Sequence, residues 1–309
     1  MSIIAKSHKA VVRCRVCGHS DAESLGKIAD CGEFAGQHIS PPIKGGGLWL
    51  CKDCGSMFRH PTLSANDYIS LYEQAPSTVW VDNGVERNDF TTIYAYLKSN
   101  VGDSILDVGC YTGNFLVGVS NKFKKFGIEP SDLASREAAS KGISILGKTL
   151  NDLDSDQVFD VVVAIDVIEH VLDVENFLSQ ALAHVKENGL LVISTGNPGC
   201  FFWRKVFKSR FWYNYFAEHV TFPSYKYYID FSNRLGLQIP EQIRFKYLEL
   251  KPVIRLSMLL RYSISQAIQK AMKMIRCTAV HRIHWFAYVS LIGAFTDHHV
   301  IIFRKSKLC

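Results

Sequence analysis

From residue 104 onward, short apolar runs alternate with glycine turns and amphipathic stretches at a regular spacing. The apolar segments Ser104 to Val108, Lys124 to Glu129, Ile143 to Leu146, Phe159 to Ile165 and Leu190 to Thr195 read as strands. Between them, Gly113 to Lys122, Ser131 to Lys141 and Asp173 to Lys186 carry helical spacing, with Ser131 a candidate N-cap. FDVVVAI, Phe159 to Ile165, is continuously apolar and fits a central strand buried on both faces. His298 to Lys305 predicts a last strand returning to the sheet, and Asp67 to Tyr72 with Val85 to Ser99 a connecting helical region. Repeated strand and helix specify a doubly wound α/β sheet whose ligand site lies at the strand carboxyl ends.

Ahead of this alternation stand two matching knuckles, Cys14-Arg15-Val16-Cys17-Gly18 and Cys51-Lys52-Asp53-Cys54-Gly55. Two intervening residues let both sulfurs of a knuckle turn onto one ion, and the trailing glycine permits a tight backbone turn. Together Cys14, Cys17, Cys51 and Cys54 supply the four thiolates of a closed, structural zinc site. The Gly-rich linker with Pro41-Pro42 suits the loops and short strands of a zinc ribbon. A redox C-x-x-C is the competing reading, and two such pairs without a thioredoxin-like context argue against it. Cys31, between the knuckles, is either a stray thiol or a substitute ligand.

The first predicted strand runs into ILDVGCYTGNFL, Ile105 to Leu116, and the second ends at Glu129 in GIEPS. The glycine turn lets backbone approach a ligand, and a carboxylate at the next strand's tip can accept bonds from ribose hydroxyls. That layout suits S-adenosylmethionine rather than NAD. With FDVVVAIDVIEHV, these segments resemble the successive motifs of class I S-adenosylmethionine-dependent methyltransferases, over roughly Val85 to Asn197. The resemblance implies that Asp107, Gly109, Cys110 and Gly113 line the methionine part of the cofactor. It implies that Glu129 holds the ribose with Pro130 beside the adenine, and that Asn151 or Asp152 meets the adenine. Asp166 would lie where cofactor and substrate meet, and Glu169 and His170 belong to the same signature. Where the family usually has a second glycine this chain has Tyr111, which makes the loop bulkier and could cover the methionine moiety.

An acceptor pocket is expected after the fifth strand, from the aromatic-basic run FFWRKVFKSRFWYNYF and the Glu218-His219 pair. The segment Asn-Tyr-Phe-Ala-Glu-His is similar to the tail of sugar methyltransferases that also begin with a zinc-binding ribbon. That similarity implies His219 as general base and Glu218 as a neighbour that tunes it or contacts substrate. Adjacent residues in regular structure point apart, so a direct bond between the two does not follow.

Composition changes the picture in one respect. The chain of 309 residues carries 35 Lys+Arg and 29 Asp+Glu, but from Cys200 onward the balance is 18 against 5. Residues Leu250 to Thr296 contain no Asp or Glu. The C-terminal third therefore favours an anionic partner: a phosphate-linked glycan precursor, an anionic membrane surface or, less expected, nucleic acid. MLLRYSISQAIQKAMKMI has helix-like spacing and fits a lid, a membrane-surface helix or a plain insertion. No apolar run reaches the roughly 18 residues needed to span a bilayer. Nine cysteines with paired knuckles suit a reducing, cytoplasmic location.

The sequence thus predicts a zinc ribbon over residues 1–65, a Rossmann-like methyltransferase sheet over 66–249, and a basic helical segment with a final strand over 250–309. The expected activity is methyl transfer to a sugar or other small metabolite of polysaccharide biosynthesis. An RNA methyltransferase and a noncatalytic cofactor-binding module are the alternatives.

Overall fold

A computed structural model of the chain describes residues 12–73, 87–98, 102–247 and 295–306. The N-terminal module contains β1 (Ala22–Lys27), β2 (Cys31–Phe34), β3 (Gln37–Ile43), β4 (Gly47–Cys51) and β5 (Met57–His60). Helices α1 (Ala65–Glu73) and α2 (Asn88–Lys98) follow. The larger sheet is built from β6 (Ser104–Val108), β7 (Lys124–Ile128), β8 (Ser144–Gly147), β9 (Phe159–Ile165), β10 (Val185–Gly196), β12 (Glu241–Phe245) and β13 (His298–Arg304). Its order is β12-β13-β10-β9-β6-β7-β8. Pairings from β10 through β8 are parallel, whereas β13 runs antiparallel to both β10 and β12.

Strand pleating assigns the two faces of this sheet, because successive side chains point to opposite sides. Leu106, Val162, Ala164, Leu191, Ile193, Ile301 and Phe303 join one core with α5 (Val174–Ala183) and α6 (Tyr225–Arg234). Their neighbours Ile105, Val161, Val163, Leu190, Val192, Val300 and Ile302 join the other core, with Ile93 and Leu97 of α2 and Phe115 and Leu116 of α3 (Asn114–Gly118). Helices therefore cover both faces, as the alternation predicts. The order reverses between β6 and β9, which opens a crevice at their carboxyl ends.

Several boundaries differ from expectation for local reasons. The helix expected over Gly113 to Lys122 stops at Gly118, where a Cβ would fall 2.3 Å from the Tyr94 hydroxyl. Helix α4 (Asp132–Ser140) starts as expected, with the Ser131 hydroxyl accepting from Ala134 N at 3.3 Å. Helix α5 ends at Ala183, and β10 begins at Val185 rather than Leu190, pairing with β9 across a bulge. Strand β11 (Thr221–Phe222) leaves the large sheet altogether and pairs antiparallel with β5. It completes a four-stranded sheet, β1-β4-β5-β11, in the N-terminal module.

The aromatic run expected to line an acceptor pocket does other work in large part. Trp203, Phe207, Phe211, Trp212 and Tyr213 are buried against Leu25, Ile28, Leu48, Leu50 and Met57 of the N-terminal module. Phe201, Phe202, Val206 and Phe216 remain exposed. Among the described residues, no helix is long and apolar enough to cross a membrane. The helical spacing of residues 258–275 lies outside the described residues.

At the amino end of β9 the Asp160 carboxylate accepts from Asp103 N (3.1 Å), Ser104 N (3.0 Å), Ser104 Oγ (2.6 Å) and Lys186 Nζ (2.9 Å). Burial acts to raise its pKa, but these donors outweigh it and hold the carboxyl well below the usual range. Its contribution is thus present above about pH 4 and is lost as pH falls further. Asp160→Asn should cost about 2 kcal/mol at pH 7, with a smaller penalty in acid, in denaturant unfolding at pH 7 and pH 3.

Candidate active site

The crevice at the carboxyl ends of β6, β7 and β9 gathers most residues that the motifs single out. After β6 the backbone turns at Gly109 (φ 76°), Tyr111 (φ 47°) and Gly113 (φ 77°). The left-handed region disfavours side chains with a Cβ, so Tyr111 stands where glycine would be relaxed. The turn is pinned to the end of β7: Gly109 N and Cys110 N both donate to the Ile128 carbonyl, at 2.8 and 3.1 Å. Glu129 closes the arrangement, its two oxygens accepting from Tyr111 N (2.9 Å) and Ser131 N (2.8 Å). Burial raises the Glu129 pKa, and the two amides oppose that.

Asp107 is buried, and its Oδ1 has no protein partner. Burial pushes its pKa well up, with the charge of Glu129 adding to the shift and Arg87 opposing it. Asp166, at the end of β9, takes a left-handed φ of 52° and also keeps an unpartnered Oδ1. Its other oxygen meets the Arg87 guanidinium at 2.5 Å, and the same guanidinium pairs with buried Asp89. Arg87 carries no motif in the sequence; a lone arginine before a helix gives no signal of a carboxylate 79 residues away. Pro130 is exposed beside Glu129.

Two expected residues serve differently. The Cys110 side chain packs beneath the loop, in space that Gly127 leaves open: a Cβ there would sit 2.5 Å from the Cys110 sulfur. Its thiol also donates to the Tyr111 carbonyl at 3.7 Å, and its backbone joins the loop's own bonds. Asp152 is exposed, and its Oδ2 accepts from Lys148 N and Thr149 N at 2.8 Å in a capping box. Those amides hold its pKa below the ordinary value.

Behind Asp166, Glu169, His170 and His219 bring ligand atoms within 4.8 Å of one another. Glu169 is fully buried and accepts from Thr195 Oγ1 (2.9 Å) and from the Tyr213 hydroxyl. Burial, reinforced by the charge of Asp166, pushes its pKa up to about 7. The His170 Nδ1 pairs with the Tyr72 hydroxyl at 2.7 Å, and burial takes its pKa down to about 4. His219 is buried, its ring centroid 5.0 Å from that of His170 and 4.3 Å from that of Tyr213. Its Nδ1 lies 2.9 Å from the Tyr213 carbonyl. A carbonyl only accepts, so this contact puts the proton on Nδ1 and leaves the Nε2 lone pair available. Burial, with the neighbouring His170, holds the ring neutral, its pKa well below the usual value.

Glu218 faces away from this cluster. It is buried on the side of Ala35 and Arg59, and burial raises its pKa. Tyr72 and Thr195 gain their places through long-range packing and carry no local sequence signal, whereas Tyr213 lies in the aromatic run expected to line the acceptor pocket.

In the N-terminal module, Gly18 (φ 78°) and Gly55 (φ 73°) end the knuckles in left-handed turns. The Cys14, Cys17, Cys51 and Cys54 sulfurs all lie within 4.8 Å of one another. Cys14 to Cys54 is 3.9 Å and Cys17 to Cys51 is 3.6 Å. A tetrahedron with metal–sulfur bonds of about 2.3 Å has edges of about 3.8 Å, so the donor set fits zinc in number, softness and spacing. Cys31 stands apart, its thiol donating to the Glu33 and Tyr215 carbonyls.

Residues 87–242 match the methyltransferase-domain family. The chain belongs to that family. It is similar to the ubiquinone biosynthesis O-methyltransferase of Rickettsia prowazekii, 34% identical over 149 residues, covering 42% of this chain and 58% of that protein. The Bradyrhizobium diazoefficiens protein of the same name is 36% identical over 105 residues, 31% of this chain and 41% of its own. The chain thus spans less than two thirds of these curated relatives. Among solved structures, the N-methyltransferase NodS of Bradyrhizobium japonicum overlaps 78% of this chain and 98% of its own, at 16% identity and a TM-score of 0.48.

The raised pKa of Glu169 has a measurable consequence. Between its ordinary value near 4.5 and about 7, the unfolded chain gives up this proton while the native protein keeps it. Stability is therefore fullest below the lower value and falls as pH rises through the window, by roughly 3 kcal/mol if Glu169 acts alone. Glu169→Gln should flatten that decline, read as urea midpoints compared between pH 4.5 and pH 8.

Proposed function

We propose that this methyltransferase acts on a hydroxyl of a small-molecule acceptor, with His219 taking the proton. The observation that carries the reading is the His219 imidazole, neutral by burial and fixed by the Tyr213 carbonyl so that Nε2 is the basic atom. Bound S-adenosylmethionine supplies an electrophilic methyl on a sulfonium, and the protein's part is alignment and proton removal. Glu129 uses one lone pair of each oxygen on backbone amides and keeps others for ribose hydroxyls. The unpartnered oxygens of Asp107 and Asp166 suit a cationic amino-acid end, while Gly109, Tyr111 and Gly113 offer close backbone approach. Pro130 flanks the adenine side; Asp152 would reach it only through its second oxygen. Glu218 supports the loop rather than sharing the proton. Structural zinc on Cys14, Cys17, Cys51 and Cys54 would cross-link the knuckles and supply folding free energy.

A sugar or phosphate-linked glycan precursor is the acceptor that the ribbon, the Glu-His segment and the basic C-terminal third favour. A ring hydroxyl of a quinone precursor is the second reading, favoured by the name of the curated relatives.

Calorimetry should show S-adenosylhomocysteine binding that Asp107→Ala and Glu129→Ala abolish. Transfer of labelled methyl to a panel of nucleotide-linked sugars, dihydroxybenzoates and bulk RNA should mark a small hydroxyl acceptor, and RNA labelling would overturn the reading. His219→Gln should lower transfer by about 10²- to 10⁴-fold with donor affinity kept. Elemental analysis should return one zinc per chain, lost in Cys51→Ser; a metal-free wild type would remove zinc from the account.

A further inference from the structure

Four of the six residues from Asn214 to His219 are tied to the N-terminal module, and Ala217 is tied to α1 directly after it. Arg59 on β5 is 2% exposed, yet its guanidinium meets no carboxylate. It donates instead to four backbone carbonyls: His219 (3.1 Å), Asn214 (2.8 Å), Phe216 (2.8 Å) and Gly45 (3.4 Å). Two further residues of the segment are held by neighbours of Arg59. The Cys31 thiol donates to the Tyr215 carbonyl at 3.3 Å, and the Tyr68 hydroxyl to the Ala217 carbonyl at 3.4 Å. Downstream, Ser224 Oγ donates to the Cys54 carbonyl and Ser224 N to Ser56 Oγ, which ties the second knuckle to the N-cap of α6.

A buried cation with no carboxylate in hydrogen-bonding contact is expensive, and the carbonyl dipoles with the more distant charge of Glu218 offset only part of that cost. A guanidinium suits the place because its planar fork reaches several acceptors in fixed directions, which a single ammonium cannot do. What those directions fix is the path of the loop that ends in His219.

We infer that Arg59 is a positioning residue: through the Asn214, Phe216 and His219 carbonyls it sets the loop geometry that aims the His219 ring, making the cysteine ribbon a working wall of the acceptor site. This rests on His219 being the base. The alternative role, simple adhesion between ribbon and sheet, would leave the ring unchanged whenever the protein still folds.

The test uses full-length, ¹⁵N-histidine-labelled protein with S-adenosylhomocysteine, the His219 signals being those that His219→Gln removes. Wild type should show His219 protonated on Nδ1 alone. Arg59→Met should bind S-adenosylhomocysteine within about twofold of wild type while the ring moves to a mixture of tautomers, with Arg59→Lys in between. Misplacement of a reacting group by about 1 Å costs on the order of a hundredfold in rate, so methyl transfer should fall by that order. Arg59→Met with normal donor binding and an unchanged His219 ring overturns the proposal. If Arg59→Met no longer binds S-adenosylhomocysteine, Cys31→Ala with Tyr68→Phe decides, since it cuts two tethers and keeps the cation. A moved ring supports positioning, whereas an unmoved ring, or loss of donor binding there too, overturns it. Full transfer activity in His219→Gln would sink the base assignment alone, because the tautomer measurement needs no acceptor.

Discussion

The burial of β9 on both faces is the constraint around which the molecule is arranged. Val161, Val162, Val163 and Ala164 have no accessible surface, so a polar side chain has no place along the strand's length. Chemistry can enter only at the two ends, and both ends carry an aspartate. At the amino end Asp160 is saturated with donors and works as an anchor. At the carboxyl end Asp166 has one oxygen on Arg87 and one without a partner. The same residue type is thus structural at one end and available for chemistry at the other, because the strand order reverses only beside the second.

That crevice is strongly unbalanced in charge. Among the described residues, Asp89, Asp107, Glu129, Asp166 and Glu169 gather about the crevice, Arg87 pairs with Asp89 and Asp166, and burial raises the pKa of Asp107, Glu129, Asp166 and Glu169. Carboxyls under such strain are stabilised by a cationic guest, which lets them ionise without mutual repulsion. The requirement agrees with a sulfonium donor that also carries an ammonium group. It also explains why a bulky residue is tolerated at Tyr111. The turn is held by the Ile128 and Cys110 carbonyls and the Glu129 carboxylate, each accepting from the turn's backbone amides, so the side chain at that position is not what shapes it.

Local features were the legible ones. The glycine turn, the Ser131 cap and the cysteine knuckles each depend on bonds spanning a few residues, and each folds as its residue types dictate. The pleat of the central strands was equally readable, since alternation between two cores follows from period two. Long-range packing hid the rest. The aromatics between Phe201 and Phe216 have the composition of a ligand pocket, but the N-terminal sheet needed an apolar partner and took most of them. Asp152 sits near the expected adenine loop, yet the backbone amides of Lys148 and Thr149 claim its carboxylate first. Arg59, Tyr72 and Arg87 act across gaps of 79 to 160 residues, and no single-sequence pattern marks such pairings.

The strength of the base then bears on the acceptor. Burial that keeps His219 neutral also makes it a weak base, so the hydroxyl it serves best is one that is already fairly acidic. Solvation would strengthen the imidazole but would bring water into a site whose alignment depends on its absence. A ring hydroxyl meets that condition unaided. A sugar hydroxyl is much less acidic and would need its proton loosened as the methyl arrives, or a cation beside it. Glu169 cannot take over as the base while it is protonated and bonded to Tyr213 and Thr195. On the proposed reading, proton removal falls to the nitrogen that the Tyr213 carbonyl leaves unprotonated, and the acidity of the acceptor has to match it.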